Sequence, residues 1–461
     1  MSQFQDPKPQ HTSPSEALAT PPIAQSMAPD IRVWMPYVKP YDAVAAAEML
    51  ARGKPRAIGL GEGTHRAQEM FQAQADITKA LIEKHHCTLV MVEADGSDMT
   101  TVSSAIRSGD SNRIKTALKD LSFPTVSNSG FLSLCEWLQG KPDVKLSGLD
   151  VQTKGAAEVL REELQKLQPP GDLGRKLLQL LEDFEDAKAS ALAFRKEQES
   201  IKVKGYPESG EEQVAPSQDN PQRHAAGQVD VTPIQEKVKD QGLKLLEKVG
   251  GISSHLKIDL DKVKSALRSI SGLCGLYEIE CRGEDPIPHR DELMAKTAFL
   301  DLAGAGLGVV LAHNGHVTFA PTANLSKETF YTDSGAKALG AYLKERYSAG
   351  YRVLQQIAGG GTLGRLTTDE GRNIDYTYPP PQQNDIEHYL AQVSQKLGGS
   401  ILFDVESALK DDGLGPYLTQ HIFNINSMGT NTPPSSTFRV RLPEIGDVIL
   451  FHQEIHPEQF L

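Results

Sequence analysis

The chain has 461 residues, 39% hydrophobic and 23% charged, and a formal net charge of -12. That length exceeds one ordinary domain and is enough for a large core with insertions. The acidic balance, with no Lys/Arg stripe, argues against nucleic acid or an anionic membrane surface as a partner. Cys87, Cys135, Cys274 and Cys281 form no CxxC pair, which leaves neither a zinc ribbon nor a disulfide framework. No apolar run approaches the ~20 residues needed to span a bilayer. The first residues have no secretory pattern, so the expected location is cytoplasmic.

Residues 1–30 are rich in Pro, Ser, Gln and Thr without hydrophobic periodicity, and are expected to be a disordered tail. A first α/β portion is expected over 31–152. It holds a helix Ala43–Arg52, a strand Arg56–Leu60, a helix with Met70, Phe71, Ile77 and Leu81 on one face, and strands Thr88–Ala94 and Val144–Leu149, the last ending in Asp150. Residues 153–287 read as a helical insertion. Its longest helix, Leu173–Lys202, would extend roughly 45 Å at 1.5 Å per residue. A polar stretch, 206–228, reads as a flexible loop before helices Pro233–Val249 and Leu256–Cys281. Alternation resumes over 288–461, with helix Arg290–Ala303, strand Gly308–Ala312, helix Ala336–Tyr347, and strands Tyr351–Gln356 and Asp447–Phe451. The expected fold is α/β: one mostly parallel sheet flanked by helices, completed by the second α/β portion, with the insertion as a cap over the active-site cleft.

Three histidines and a glutamate are the candidates for chemistry. His65 follows the first strand in GLGEGTH, and Glu93 sits near the end of the second after the apolar run LVMV. Consecutive strands joined by a helix are usually parallel neighbours. The two side chains are therefore expected side by side at the carboxyl edge, where open α/β sheets bind ligands. The start of the following helix would disfavour imidazolium at His65 and keep a neutral base. For His313 and His316, in AHNGH, two readings stand. Asn-Gly signals a hairpin that sets one histidine opposite the other; otherwise Gly308–Ala312 is another parallel strand with HNGH as its carboxyl-end loop. Asp291, after Arg290, reads as an ordinary first-turn residue. Gly359-x-Gly361-x-x-Gly364 matches a dinucleotide fingerprint but lacks the following strand with a terminal acid, so it reads as a mobile loop. No cofactor is expected, and no P-loop or GxSxG elbow occurs.

Taken together, GLGEGTH (Gly59–His65), VEAD (Val92–Asp95), GLDVQ (Gly148–Gln152), RDELMA (Arg290–Ala295) and AHNGH (Ala312–His316) resemble the erythromycin esterase family, in the family's order. LKERYSAGYRVL (Leu343–Leu354) adds a weaker match. The resemblance implies a metal-independent hydrolase that opens a macrocyclic ester with water. It implies His65 as the general base, Glu93 and His313 as companions, and Glu62, Arg290 and His316 nearby. Where the family has glycine after its base and arginines three and nine positions beyond, this chain has Arg66, Gln68 and Gln74. Gln74 removes a fixed charge, and Arg66 is the candidate to replace it. Two other readings remain open: a metal-dependent hydrolase with His65, Glu93, His313 and His316 as ligands, and a non-catalytic protein binding haem or another large ligand on the same scaffold.

Overall fold

The computed structural model describes residues 30–151, 155–167, 171–204, 232–250, 258–282, 284, 286–319, 337–367, 373–378, 380–383, 385–426 and 437–461. The expected tail before residue 30 and the expected loop 206–228 lie outside them. The chain opens with β1 (Val38–Pro40), α1 (Ala43–Leu50), β2 (Ala57–Glu62), α2 (Gln68–His85) and β3 (Cys87–Asp95). Helices α3 (Gly96–Arg107), α4 (Ser111–Lys119) and α5 (Ser129–Leu138) lead to β4 (Lys145–Asp150). Between β4 and the next strand come α6 (Gly155–Gln165), α7 (Asp172–Lys204), α8 (Thr232–Gly250), α9 (Leu260–Cys281) and α10 (Ile287–Ala303). Then follow β5 (Leu307–His313), α11 (Asn314–Val317), α12 (Leu339–Tyr347), β6 (Tyr351–Ala358), β7 (Gly361–Thr367) and β8 (Asn373–Tyr378). The chain finishes through α13 (Ile386–Leu397), β9 (Ile401–Asp404), β10 (Phe423–Asn426), β11 (Thr437–Val440) and β12 (Val448–His452).

Eight strands form one sheet in the order β1-β9-β12-β6-β2-β5-β3-β4. From β12 to β4 all pairs are parallel, and β9 and β1 add an antiparallel edge. The mostly parallel sheet is thus as expected, with one correction. β2 and β3 are not neighbours, because β5 lies between them. Local order favours pairing of consecutive strands, but a strand from far along the chain takes the central slot. The hairpin reading of HNGH also falls. β5 runs parallel to both neighbours, and after His313 the chain enters a single helical turn. The Gly359–Gly364 segment is not a loop throughout: from Gly361 it is strand β7, paired antiparallel with β8. Gly361 (φ +123°) and Gly364 (φ +68°) allow the bend at its irregular register.

Successive side chains of a strand point to opposite faces, and here both faces are covered. Ile58, Leu60, Val90, Val92 and Leu311 pack with Ala46, Leu50, Ile77, Leu81 and Leu134 of α1, α2 and α5. Ala57, Leu89, Met91 and Val310 pack with Met294, Ala298, Leu302, Leu339 and Leu343 of α10 and α12. Helices α6–α9 share a core of their own, including Leu160, Leu177, Phe184, Leu245, Leu267 and Ile270. That bundle meets the rest of the molecule through α9 and α6 against α3, and through α9 against α10.

The short helix α11 is held on several sides. Tyr351 Oη donates to the Val317 carbonyl at 2.9 Å. Asn314 Nδ2 donates to the Gln356 carbonyl at 2.7 Å, and the Gln356 N–H donates to Asn314 Oδ1 at 3.2 Å. Helix α12 presses on α11 so closely that a Cβ at Gly340 would stand 2.1 Å from the Val317 carbonyl oxygen. A backbone contact cannot give way as a side chain can. Gly340→Ala is therefore expected to destabilise the protein by about 1–3 kcal/mol, read as a lowered thermal midpoint. An unchanged midpoint would show that α12 is free to shift.

Candidate active site

Strand β2 delivers Glu62 at its end, and the following turn brings His65 back onto it. His65 Nδ1 is hydrogen-bonded to Glu62 Oε1. A carboxylate accepts only, so Nδ1 carries the proton and Nε2 holds the lone pair when the ring is neutral. The ring lies edge-on to Phe123, with centroids 5.6 Å apart, and 5.0 Å from the ring of His313. Both Glu62 and His65 are buried. Burial opposes charge on His65, yet the Glu62 carboxylate, and Glu93 beyond it, raise its pKa above the ordinary value. This corrects the expectation of a histidine kept neutral by a helix start. His65 precedes α2 by several residues, and the adjacent carboxylate governs it.

Glu93, near the end of β3, sits at the centre of a buried ion network. Its Oε1 accepts from an Arg290 guanidinium N–H at 3.0 Å and pairs with His316 Nε2 at 3.1 Å. Its Oε2 accepts the His313 main-chain N–H at 2.9 Å. Arg290 also donates through Nε and a terminal nitrogen to the two oxygens of Asp150, at 2.8 and 2.7 Å. His316 Nδ1 meets Asp291 Oδ1 at 2.6 Å, and Asp291 Oδ2 accepts the Leu339 N–H at 3.1 Å. Burial alone would raise the Glu93 pKa, but His316 and Arg290 hold it well below the carboxylate range. Burial likewise disfavours charge on His316, which Asp291 and Glu93 reverse, lifting its pKa to about 10.

The two histidines of AHNGH therefore take opposite states. His313 closes β5 as the cap of α11 and accepts the Gly315 N–H on Nδ1 at 3.2 Å. That bond places its proton on Nε2. Burial pushes its pKa down to about 4, so the ring is neutral where His316 is charged. The site thus holds a carboxylate-backed imidazole, a neutral imidazole donor and a fixed ionic frame.

The structure brings His65, Glu93, His313, Glu62, Arg290 and His316 together in one cluster. Gln74 lines the same pocket, but its amide is committed to the Leu60 carbonyl at 2.8 Å, where it braces β2. Arg66 is half-buried and absent from the pocket lining; its carbonyl accepts the Glu458 N–H. Two members of the network were not singled out from sequence. Asp150 was visible only as a strand-end acid. Asp291, read as an ordinary first-turn residue, is completely buried and is the partner that charges His316. The four proposed metal ligands do not form a ligand shell, because His316 spends both ring nitrogens on carboxylates and Arg290 occupies Glu93. Among the described residues, no group of three His, Cys, Asp or Glu side chains is placed to hold a metal ion.

A cavity of about 30 Å³ lies against Glu62, His65, Gln74 and Glu93 and, for its greater part, against apolar side chains such as Phe123, Val126, Phe131 and Leu134. That is room for about one water molecule. Glu62 Oε2 is buried with no hydrogen-bond partner beside it. Removing Arg290 would leave Glu93 and Asp150 buried without their shared cation. Arg290→Met is expected to lower the unfolding free energy by about 3–5 kcal/mol, measured by urea titration. Arg290→Lys should recover only part of it, since a lysine cannot bridge both Asp150 oxygens. A loss below ~1 kcal/mol for the Met variant would mean that the network does not depend on this cation.

The family model for erythromycin esterase matches residues 82–455, well over half of the chain. The match takes in Glu93, Asp150, Arg290, His313 and His316, while Glu62 and His65 precede it. No curated protein matches the chain. Among solved structures, a succinoglycan biosynthesis protein is similar at TM-score 0.67 and 16% identity, covering 94% of this chain and 98% of its own. A protein from Bacillus cereus gives TM-score 0.67 at 17% identity, with 94% and 98% covered. A mutant of the erythromycin esterase EreC in its open conformation gives TM-score 0.58 at 17% identity, with 92% and 98% covered. At these identities the structures establish a shared fold. No helix among the described residues is long and apolar enough to cross a membrane. The chain belongs to the erythromycin esterase family, and that membership supports a hydrolase.

Proposed function

We propose that the protein hydrolyses ester bonds through water activated by His65, with macrolide lactones as the first substrate class. The observation that carries this reading is the water-sized cavity against the Glu62–His65 pair. Glu62 orients the ring, His65 Nε2 takes a proton from water as it attacks the carbonyl, and Glu62 stabilises the imidazolium that forms. Collapse of the tetrahedral adduct breaks the acyl C–O bond, and the His65 imidazolium returns the proton to the leaving alkoxide, which restores the neutral base. Such base assistance contributes on the order of 10²–10⁴ in rate. The oxyanion needs an N–H donor. The neutral His313, whose ring lies 5.0 Å from His65, is read as that donor, while Arg290 spends Nε and one terminal nitrogen on Asp150 and Glu93. Glu93 holds the His313 main chain, and His316 and Arg290 keep Glu93 ionised. The fold shared with an erythromycin esterase supports a macrocyclic ester as the small-molecule substrate. Helices α6–α9, joined to the body beside the end of β4, are read as the cap. No metal enters the reaction, and the place of action is the cytoplasm.

Incubation with erythromycin and larger macrolides, followed by mass spectrometry, should show the gain of one water. His65→Ala should lower kcat/KM by about 10²-fold or more with the fold intact; full turnover in that variant would remove His65 as the base. The base works unprotonated, so activity should rise with pH through the pKa of His65. Because Glu62 raises that pKa, the rise should centre above the ordinary histidine value of about 6.5. Glu62→Gln should shift it to lower pH and slow the reaction. A shift to higher pH would contradict the pairing.

A further inference from the structure

After β12 the chain runs on as a strap, residues 455–461, that is pinned on one side to the turn carrying His65. The Gln68 N–H donates to the His456 carbonyl at 3.0 Å, and the Glu458 N–H donates to the Arg66 carbonyl at 2.8 Å. Between them Pro457 pairs antiparallel with Ala67. Glu69, in the first turn of α2, accepts the His456 N–H at 2.8 Å and meets its ring Nδ1 at 2.6 Å.

On its other side the strap holds the start of α5. The two carboxylate oxygens of Glu458 accept the Ser129 N–H at 3.0 Å and the Ser129 hydroxyl at 3.1 Å. The Leu461 N–H donates to the Ser127 carbonyl at 3.0 Å. Glu458 is buried, which is costly for a carboxylate without partners. A helix start supplies them, since its free N–H groups and its dipole favour an anion. The residues just before and within this helix start, Thr125, Val126, Asn128 and Phe131, line the cavity at His65, and Phe123 stands edge-on to the His65 ring. One residue thus grips the His65 turn with its main chain and the facing wall with its side chain.

We infer that Glu458 is a positioning residue for the active site: it sets the spacing between the His65 turn and the Phe123–Phe131 wall, and so the alignment of His65 on Glu62. Glu458 does not line the cavity, so its effect passes through the two segments it joins. The inference rests on the reading of His65 as the base.

The experiment is Glu458→Ala in the full chain, followed by ester-hydrolysis kinetics, by nitrogen-15 NMR titration of His65 and by the thermal midpoint. A small misplacement of a catalytic group is costly in rate, so kcat should fall about ten-fold with KM nearly unchanged. Burial opposes charge on His65 and Glu62 restores it; a looser pair should therefore let the His65 pKa fall. Glu458→Gln keeps an acceptor for the Ser129 N–H and should recover most of both. A lowered thermal midpoint with kcat and the His65 pKa unchanged would leave Glu458 a merely structural tie and overturn the inference. Should Glu458→Ala fail to fold, Ser129→Ala, which removes the hydroxyl bond alone, should move the His65 pKa in the same direction, and no movement there would overturn it. If the wild-type chain turns over no ester, the reading of His65 as the base fails by itself; the His65 pKa in the variants needs no substrate and still decides the positioning role.

Discussion

The site depends on one buried carboxylate, that of Glu93. It is held by the Arg290 guanidinium, the His316 imidazolium and the His313 main-chain N–H. A carboxylate in such a place is costly unless every acceptor is met. Two cations and three carboxylates (Arg290 and His316 with Glu93, Asp150 and Asp291) meet that demand within one cluster. Replacing buried ion pairs by apolar side chains is often neutral or stabilising. The cluster is therefore better understood as a frame that fixes geometry and charge than as a source of stability. What it fixes is His313, held by its backbone on Glu93, and beside it His65.

Topology makes this convergence possible. Glu62 of β2 pairs in register with His313 of β5, while β3 flanks β5 on its other side and carries Glu93. Asp150 ends β4, the next strand out. Four parallel strands thus bring acids and imidazoles to one carboxyl edge, where open α/β sheets take their ligands. Helix α10 crosses from outside the sheet and supplies a cation and an anion from adjacent residues, Arg290 and Asp291. One imidazole is paired with Glu62, one left neutral, and one locked between two carboxylates. Three histidines of ordinary pKa become three different reagents by position alone.

Much of this was legible in the sequence, and for a definite reason. Strand ends are marked by apolar runs that stop at a polar residue, so Glu93 and Asp150 announced their places, while His313 stood open between a hairpin and a strand-end loop. The parallel sheet followed from the alternation of elements. Three things were hidden because they depend on pairing between distant segments. The insertion of β5 between β2 and β3 follows from no local pattern. The short antiparallel strands β1 and β9 carry too few residues to show periodicity. Asp291 has the look of any first-turn acid until α10 is packed and its carboxylate finds His316. A signal did exist for Gln356, one of two glutamines that follow the apolar Val353-Leu354 in a fully buried strand. It links Gly61, Met70 and His452 by side-chain hydrogen bonds, so a polar residue within a buried run marked a structural junction rather than chemistry.

The most direct test of this account is nitrogen-15 NMR of the imidazole rings, titrated between pH 5 and pH 9 by conventional means, with assignment by single histidine substitutions. His316, with its pKa near 10, should remain an imidazolium at pH 8, both ring nitrogens protonated. His313, with its pKa near 4, should remain neutral down to pH 5, protonated on Nε2 alone. A neutral His316 at pH 8, or a His313 that titrates near the ordinary histidine value, would contradict it.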